Sequence, residues 1–196
     1  MMDGRLQKQL QFILEIDKEK DILRQTHTTS RKQENDAEHA WHMALALYVL
    51  REYANEKFDV GKAMIMALLH DVVEIDAGDT YAYDSHGLST QAEREEKAAQ
   101  RIFGMLPDDQ KQEFIALFHE FEEGATPEAK FARAMDNVQP LLLNDYNDGM
   151  DWRKHKVTKN KITKRNERTK TGSQTLWETV MTLIDKNVKQ GNILDE

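Results

Sequence analysis

An adjacent imidazole and carboxylate, His70-Asp71, close an apolar run from Ala63 to Leu69, and Glu74 and Asp79 stand shortly downstream. Delivered together by the buried end of a helix, such a pair can hold a metal ion. Two distant residues could meet them in space. His39, in Asp36-Ala-Glu-His39, sits near the start of a core helix, where its ring can point into a cleft. Asp136 lies in Phe131-Ala-Arg-Ala-Met-Asp136-Asn, a small and apolar helical setting in which an unpaired carboxylate is costly to bury. A metal would supply the missing partner. Glu74 follows His70 by four residues and Asp71 by three, so on a continuing helix it shares their face and could orient a water.

Composition narrows this chemistry. The 196 residues fit one domain with a full-sized core, and three prolines and nine glycines leave few helix breakers. Without cysteine there are no disulfides, thiolate nucleophiles or sulfur-ligated metals, so any ion is held by nitrogen and oxygen. No apolar stretch reaches the roughly 18 residues that span a bilayer, and Met1 to Leu10 is too polar for a secretory signal, which makes the cytoplasm the default location. The net charge of -8 is uneven, because Arg153 to Lys170 holds nine Lys or Arg against Glu167 alone. That stretch could draw in an anionic substrate or be an ordinary solvated face. The acidic remainder argues against duplex nucleic acid.

The elements that must position these residues read as helices. Leu6, Leu10, Ile13 and Ile16 share a face of a first helix, and a polar loop follows from Gln25 to about Asn35. A second helix spans about Asp36 to Tyr53, apolar nearly all round from Met43 to Leu50, and a third runs from about Val60 to Val73. Asp76-Ala-Gly-Asp-Thr80 favours a turn. Ser89 could cap the next helix, to about Met105, and Leu106-Pro107-Asp108 starts another through Phe121. Thr126-Pro127-Glu128 reads as N-cap, proline and first-turn acid of a sharply starting helix. Pro140 cannot bond the carbonyl of Asp136, so a bend is expected there. Gly149 ends that region, and Gly172-Ser173 precedes a last amphipathic helix carrying Leu176, Trp177, Val180, Leu183 and Ile184. The expected fold is all-α, one compact helical bundle.

The remaining polar and aromatic residues are read structurally first. His42 could face the cleft of His39 in a supporting role. His27, His86, His119 and His155 have no ligand partners at recognised spacing. Trp41, Trp152 and Trp177 read as packing residues, and Glu93 to Glu96 as a solvated helix face.

The order His39, then His70-Asp71, then Asp136 resembles the H…HD…D signature of the HD-domain metal-dependent phosphohydrolases. His70-Asp-Val-Val-Glu74-Ile-Asp-Ala-Gly-Asp79 looks like the HDxxExxxGD pattern of their 5′-deoxynucleotidase-like branch, and Glu38-His39 like its (S/D)EH element. The resemblance covers nearly the whole chain. It implies a single HD domain over residues 1–196, with a metal-site core at about 36–140 and C-terminal helices at about 150–190 packed on it. It further implies that His39, His70, Asp71 and Asp136 hold one divalent ion, of Mn, Fe, Co, Ni or Zn. In the same reading Glu74 positions or deprotonates water, Asp79 contacts a nucleotide sugar, and Arg24 binds phosphate. The branch has Arg-Trp where this chain has Arg24-Gln25, so an aromatic surface for the substrate is missing there. The implied activity is hydrolysis of a small phosphate monoester, above all a (deoxy)nucleoside 5′-monophosphate, by a homodimer. The competing reading is a catalytically silent HD-fold protein that binds a nucleotide or a partner protein and keeps a structural metal. Glu74 and Asp79 favour the enzyme, since a structural site would not require them.

Overall fold

A computed structural model describes residues 3–82 and 85–195, with only the backbone described at 85 and 86. Helix α1 (Gly4–Ile16) leads through a 3-10 turn to a short antiparallel pair, β1 (Leu23–His27) and β2 (Gln33–Asn35). The sequence shows no alternating apolar pattern there, and the expected loop from Gln25 to Asn35 is instead this hairpin. Side chains add to the ladder. Gln33 donates to the Arg24 carbonyl at 2.7 Å, and Asn147 donates to the carbonyls of His27 and Thr28 at 3.0 and 2.9 Å.

Helix α2 (Asp36–Leu50) starts on a capping box in which Asn35 accepts from the Glu38 N–H while the Glu38 side chain accepts from Asn35. Helix α3 (Val60–Leu69) ends one residue before His70, whose N–H still bonds the Met66 carbonyl. A tight turn through Asp71–Val73 follows, then α4 (Glu74–Ala77), stopped by Gly78 at φ 74°. The single helix expected to run from Val60 to Val73 is therefore broken at the dipeptide. Both residues stand at a helix end facing inward.

Helix α5 (Ser85–Ile102) contains Ser89 within it, so that residue is not its cap. Then come α6 (Asp108–Glu123), closed by Gly124 in the left-handed region, and α7 (Pro127–Tyr146), capped by Thr126 with Pro127 in its first turn. Helix α7 runs on through Pro140. Short α8 (Met150–Lys154), α9 (Lys159–Asn166) and α10 (Thr169–Gly172) precede α11 (Gln174–Lys189), capped by Ser173. Gly149, at φ 67°, starts α8 and stands beyond the end of α7. The all-α expectation holds apart from the hairpin.

Helices α2, α3 and α7 pack on one another around Met43, Leu47, Met66, Phe131 and Met135, all at most 1% exposed. Each such side chain contributes roughly 1.5–3 kcal/mol by leaving water. Leu176, Val180 and Ile184 of α11 join the same cluster. A second cluster, with Phe12, Val72, Ile102, Phe103 and Phe118, backs the turn that follows His70. Phe12 is the buried residue of α1, whereas Leu6, Leu10 and Ile13, expected on its inner face, are exposed.

Candidate metal centre

The three elements that meet in the main core each bring one group to a common point. His39 from the first turn of α2, His70 from the end of α3 and Asp136 from the middle of α7 place ligand atoms within 4.8 Å of one another. His39 is fully buried and His70 nearly so.

The tautomer of each imidazole is fixed from behind. His70 Nδ1 donates to the Ala67 carbonyl at 2.9 Å, a group left without an intrahelical partner at the end of α3. His39 Nδ1 donates to Gln139 Oε1 at 2.9 Å. Gln139 is oriented in turn, since its Nε2 donates to Glu34 at 2.7 Å and to His42 Nδ1 at 3.0 Å. Both rings thus turn their Nε2 lone pairs toward carboxylates. His39 Nε2 is 3.3 Å from Asp136 Oδ1, and His70 Nε2 is 3.1 Å from Asp71 Oδ1 and 3.8 Å from Asp136 Oδ1. Among the described residues, buried His70 Nε2 has no hydrogen-bond partner. Lone pairs aimed at carboxylate oxygens repel unless a cation lies between them, so the donor set fits a divalent ion with mixed imidazole and carboxylate ligation.

Asp71 stands at the side of this group. Its Oδ2 accepts from Arg24 Nη1 at 2.7 Å and lies 3.9 Å from His39 Nε2. Arg24 also donates to Asp36 at 3.3 Å and approaches Glu34 at 3.8 Å, so the cation expected to bind phosphate is already engaged by carboxylates. The electrostatics follow from this crowding. Without an ion, burial opposes charge on His70, but Asp71 and then Asp136 outweigh it and raise the imidazole well above its ordinary value. Burial also presses on Asp136, yet Arg165 and the two imidazoles hold its carboxyl well below the usual range. Burial lowers His39. Glu74 makes no ion pair among the described residues, and burial, followed by Asp71 and Asp36, pushes it up to about 12 against the pull of Arg24.

A cavity of about 720 Å³ opens on the centre and is lined by His70, Asp71, Glu74, Asp79 and Asp136, with Arg24 and Gln25 on one wall. Half-buried Asp79 is raised by burial. The structure thus brings every sequence-nominated site residue except His39, which is buried behind it, to one cavity.

The HD domain family model matches residues 16–177. The chain belongs to the HD domain family. A solved structure described as a predicted metal-dependent phosphohydrolase from Magnetospirillum magnetotacticum is 45% identical, superposes with a TM-score of 0.93, and covers 98% of this chain and 99% of its own. An HD-domain phosphohydrolase from Listeria innocua, 18% identical with a TM-score of 0.58 over 92% and 85% of the two chains, shares the fold. Mouse 5′-deoxynucleotidase HDDC2 is 30% identical over 118 residues, 60% of this chain and 58% of that protein. The human protein is 28% identical over 119 residues, with 60% and 57% covered. The match therefore spans less than two thirds of these curated relatives. They agree with the 5′-deoxynucleotidase-like resemblance of the motifs.

Sequence reasoning missed the support of this HD-domain centre. Gln139 lies three residues after Asp136, a helical spacing that was available as a signal. Arg165, which donates to Asp136 Oδ2 at 3.1 Å, sits in the basic stretch with nothing local to mark it. Glu95 was grouped with a solvated face but is buried on the cavity wall. Trp41, read as packing, is 61% exposed, whereas Trp152 is buried and Trp177 packs partly against the core. His27 pairs with Asp151, His119 with Glu96, and His155 stacks on Tyr81, while His86 lies outside the described side chains. Among the described residues no helix is long and apolar enough to cross a membrane.

Proposed function

We propose that this HD-domain chain is a metal-dependent phosphohydrolase acting on a small phosphate monoester, with (deoxy)nucleoside 5′-monophosphates the leading substrates. The observation that carries this reading is the pair of imidazoles locked with Nε2 toward Asp136 beside a cavity that also holds Glu74. A divalent ion held by His39, His70, Asp71 and Asp136 would polarise the phosphate and make water more acidic. The ion's charge would offset Asp71 and let Glu74 ionise, so that Glu74, on the cavity wall, accepts the proton of the attacking water. The water oxygen bonds to phosphorus, the ester P–O bond breaks, and the alcohol leaves with a proton, giving inorganic phosphate. Asp79 accepts a hydrogen bond from a sugar hydroxyl. Trp152 and Tyr81 line the same cavity and are the aromatic residues nearest in role to the one absent at Gln25.

The implied homodimer has a surface to use. Trp41, Leu45, Tyr48 and Val49 form an exposed apolar row on α2, at the i, i+4, i+7 and i+8 spacing of one helix face.

The reading is tested by measuring phosphate release from nucleoside monophosphates and sugar phosphates with each of Mn, Fe, Co, Ni and Zn. Turnover with at least one ion, together with loss of both turnover and bound metal in Asp136→Ala, is the expected result. No turnover with any ion overturns it.

A further inference from the structure

The cavity has a second cationic wall. Arg133 of α7, Arg165 of α9 and Arg168 at the start of α10 line the same space as His70 and Asp136. Two of the three are partly offset by acids, Arg165 by Asp136 at 3.1 Å and Arg133 by Glu122 at 3.5 Å. Arg133 further donates to the carbonyls of Phe121 and Glu122 at the end of α6, which anchors it. The Arg168 carbonyl accepts from Thr171, but its guanidinium makes no hydrogen bond or ion pair among the described residues. The charge of Arg133 above all, then burial and Arg165, hold the Arg168 guanidinium below its ordinary value, although Glu122 and Asp136 act the other way. Like charges gathered on a concave wall without a full set of acids form a site that favours an anion.

Arg24 has the opposite character. Its side chain is 12% exposed, and its Nη1 is committed to Asp71 and Asp36. Recruiting it to a substrate would strip a buried carboxylate of its partner.

We propose that Arg165 and Arg168, with Arg133 behind them, receive the phosphate group of the substrate, and that Arg24 is a positioning residue that holds Asp71. This rests on the phosphohydrolase reading and assigns its phosphate contacts. Guanidinium forks match phosphate oxygens two at a time, and Arg165 already touches a ligand of the proposed ion, so an anion bound by the wall lies next to the centre. The placement also gives the basic stretch a purpose. Lys161, Lys164, Arg165 and Arg168 of that stretch line the cavity, the two arginines serving as its working pair, while Lys170 lies outside it.

The test is calorimetric titration of the purified chain with inorganic phosphate, alongside initial rates on whichever ester it hydrolyses. Exposed Arg168 is the safe site to alter. Arg168→Gln is expected to weaken phosphate about tenfold or more and to raise KM by a similar factor, with kcat changed less than about threefold and bound metal unchanged. Arg168→Lys should recover part of the loss. Lys170→Gln removes the same charge outside the cavity and should leave phosphate affinity as it was. Undiminished affinity in Arg168→Gln and in Arg165→Gln/Arg168→Gln overturns the assignment, as does an equal loss in Lys170→Gln. If no ester is hydrolysed, the functional reading fails on its own, and the phosphate titration still decides whether the wall binds.

Discussion

His39 and Gln139, 100 residues apart in sequence, are joined by a 2.9 Å hydrogen bond from Nδ1 to Oε1 that settles which nitrogen of the imidazole faces the centre. Gln139→Leu keeps the volume and removes that acceptor, leaving buried Glu34 and His42 short of a donor. Metal affinity should fall about 10–100-fold. Stability should fall by about 1–3 kcal/mol. Metal titration and denaturant unfolding would check both. Affinity equal to that of the parent would mean that packing alone orients His39.

Gly172 makes possible the close approach of α10 to α7. A Cβ built there would lie 2.3 Å from the Lys130 carbonyl oxygen and 2.9 Å from Ala134 Cβ, and the first of these neighbours is backbone. Gly172→Ala should therefore cost about 1–3 kcal/mol by overpacking, read by chemical unfolding. Because α10 carries Arg168 at its start, phosphate affinity should drop in the same variant. An unchanged midpoint would show that α10 can slide.

The sequence made the helices legible where local chemistry decides the outcome. Thr126-Pro127-Glu128 names its own N-cap, and the apolar run before His70-Asp71 points those two side chains at a core. It fell short wherever the partner is remote. The hairpin at β1 and β2 adds, to its own ladder, bonds from the remote side chains of Asn147 and Asp151, which no period-two apolar pattern announces. On α1 the stripe of Leu6, Leu10 and Ile13 signals a surface to be covered, yet periodicity cannot say by what, and within this chain only Phe12 is buried. The candidate ligands were readable because their residue types are unusual in a core. Arg165 and Glu95 were not, since a charged residue on a polar helix looks the same whether it faces water or a cavity.

Acid crowding sets a pH dependence for the metal-free protein. Burial raises Glu34, Asp36 and Glu95 to about 7, Glu19 to about 8 and Glu74 to about 12. Such an acid keeps its proton in the native state after the unfolded chain has lost it, so stability falls as pH climbs toward the folded value. His70, raised by its carboxylates in spite of burial, acts in the same direction, its contribution complete below about 6.5 and lost above. His39, His42 and His155 are lowered by burial and act oppositely, but only below about 6.5. The Tm of chelator-treated protein should therefore drop between pH 6.5 and 8, at up to about 1.4 kcal/mol per pH unit for each proton of difference. Saturating metal should flatten the drop, because its ligands bind it deprotonated. A Tm that rises over this window without metal would sink the argument.

Glu74→Gln separates the proton acceptor from the metal site. The substitution keeps the shape of a side chain that is 6% exposed, and it removes a carboxylate that is not one of the three clustered groups His39, His70 and Asp136. Bound metal should stay at the parental level, whereas kcat should fall about 10²–10⁴-fold, the usual worth of a positioned general base. Asp136→Ala should instead lose metal and turnover together. Glu74→Gln also deletes the most strongly raised of the buried acids, so the metal-free variant should hold its Tm better than the parent at pH 8. A variant that is thermally relieved but fully active would remove Glu74 from the chemistry and leave the proton to another acceptor on the cavity wall.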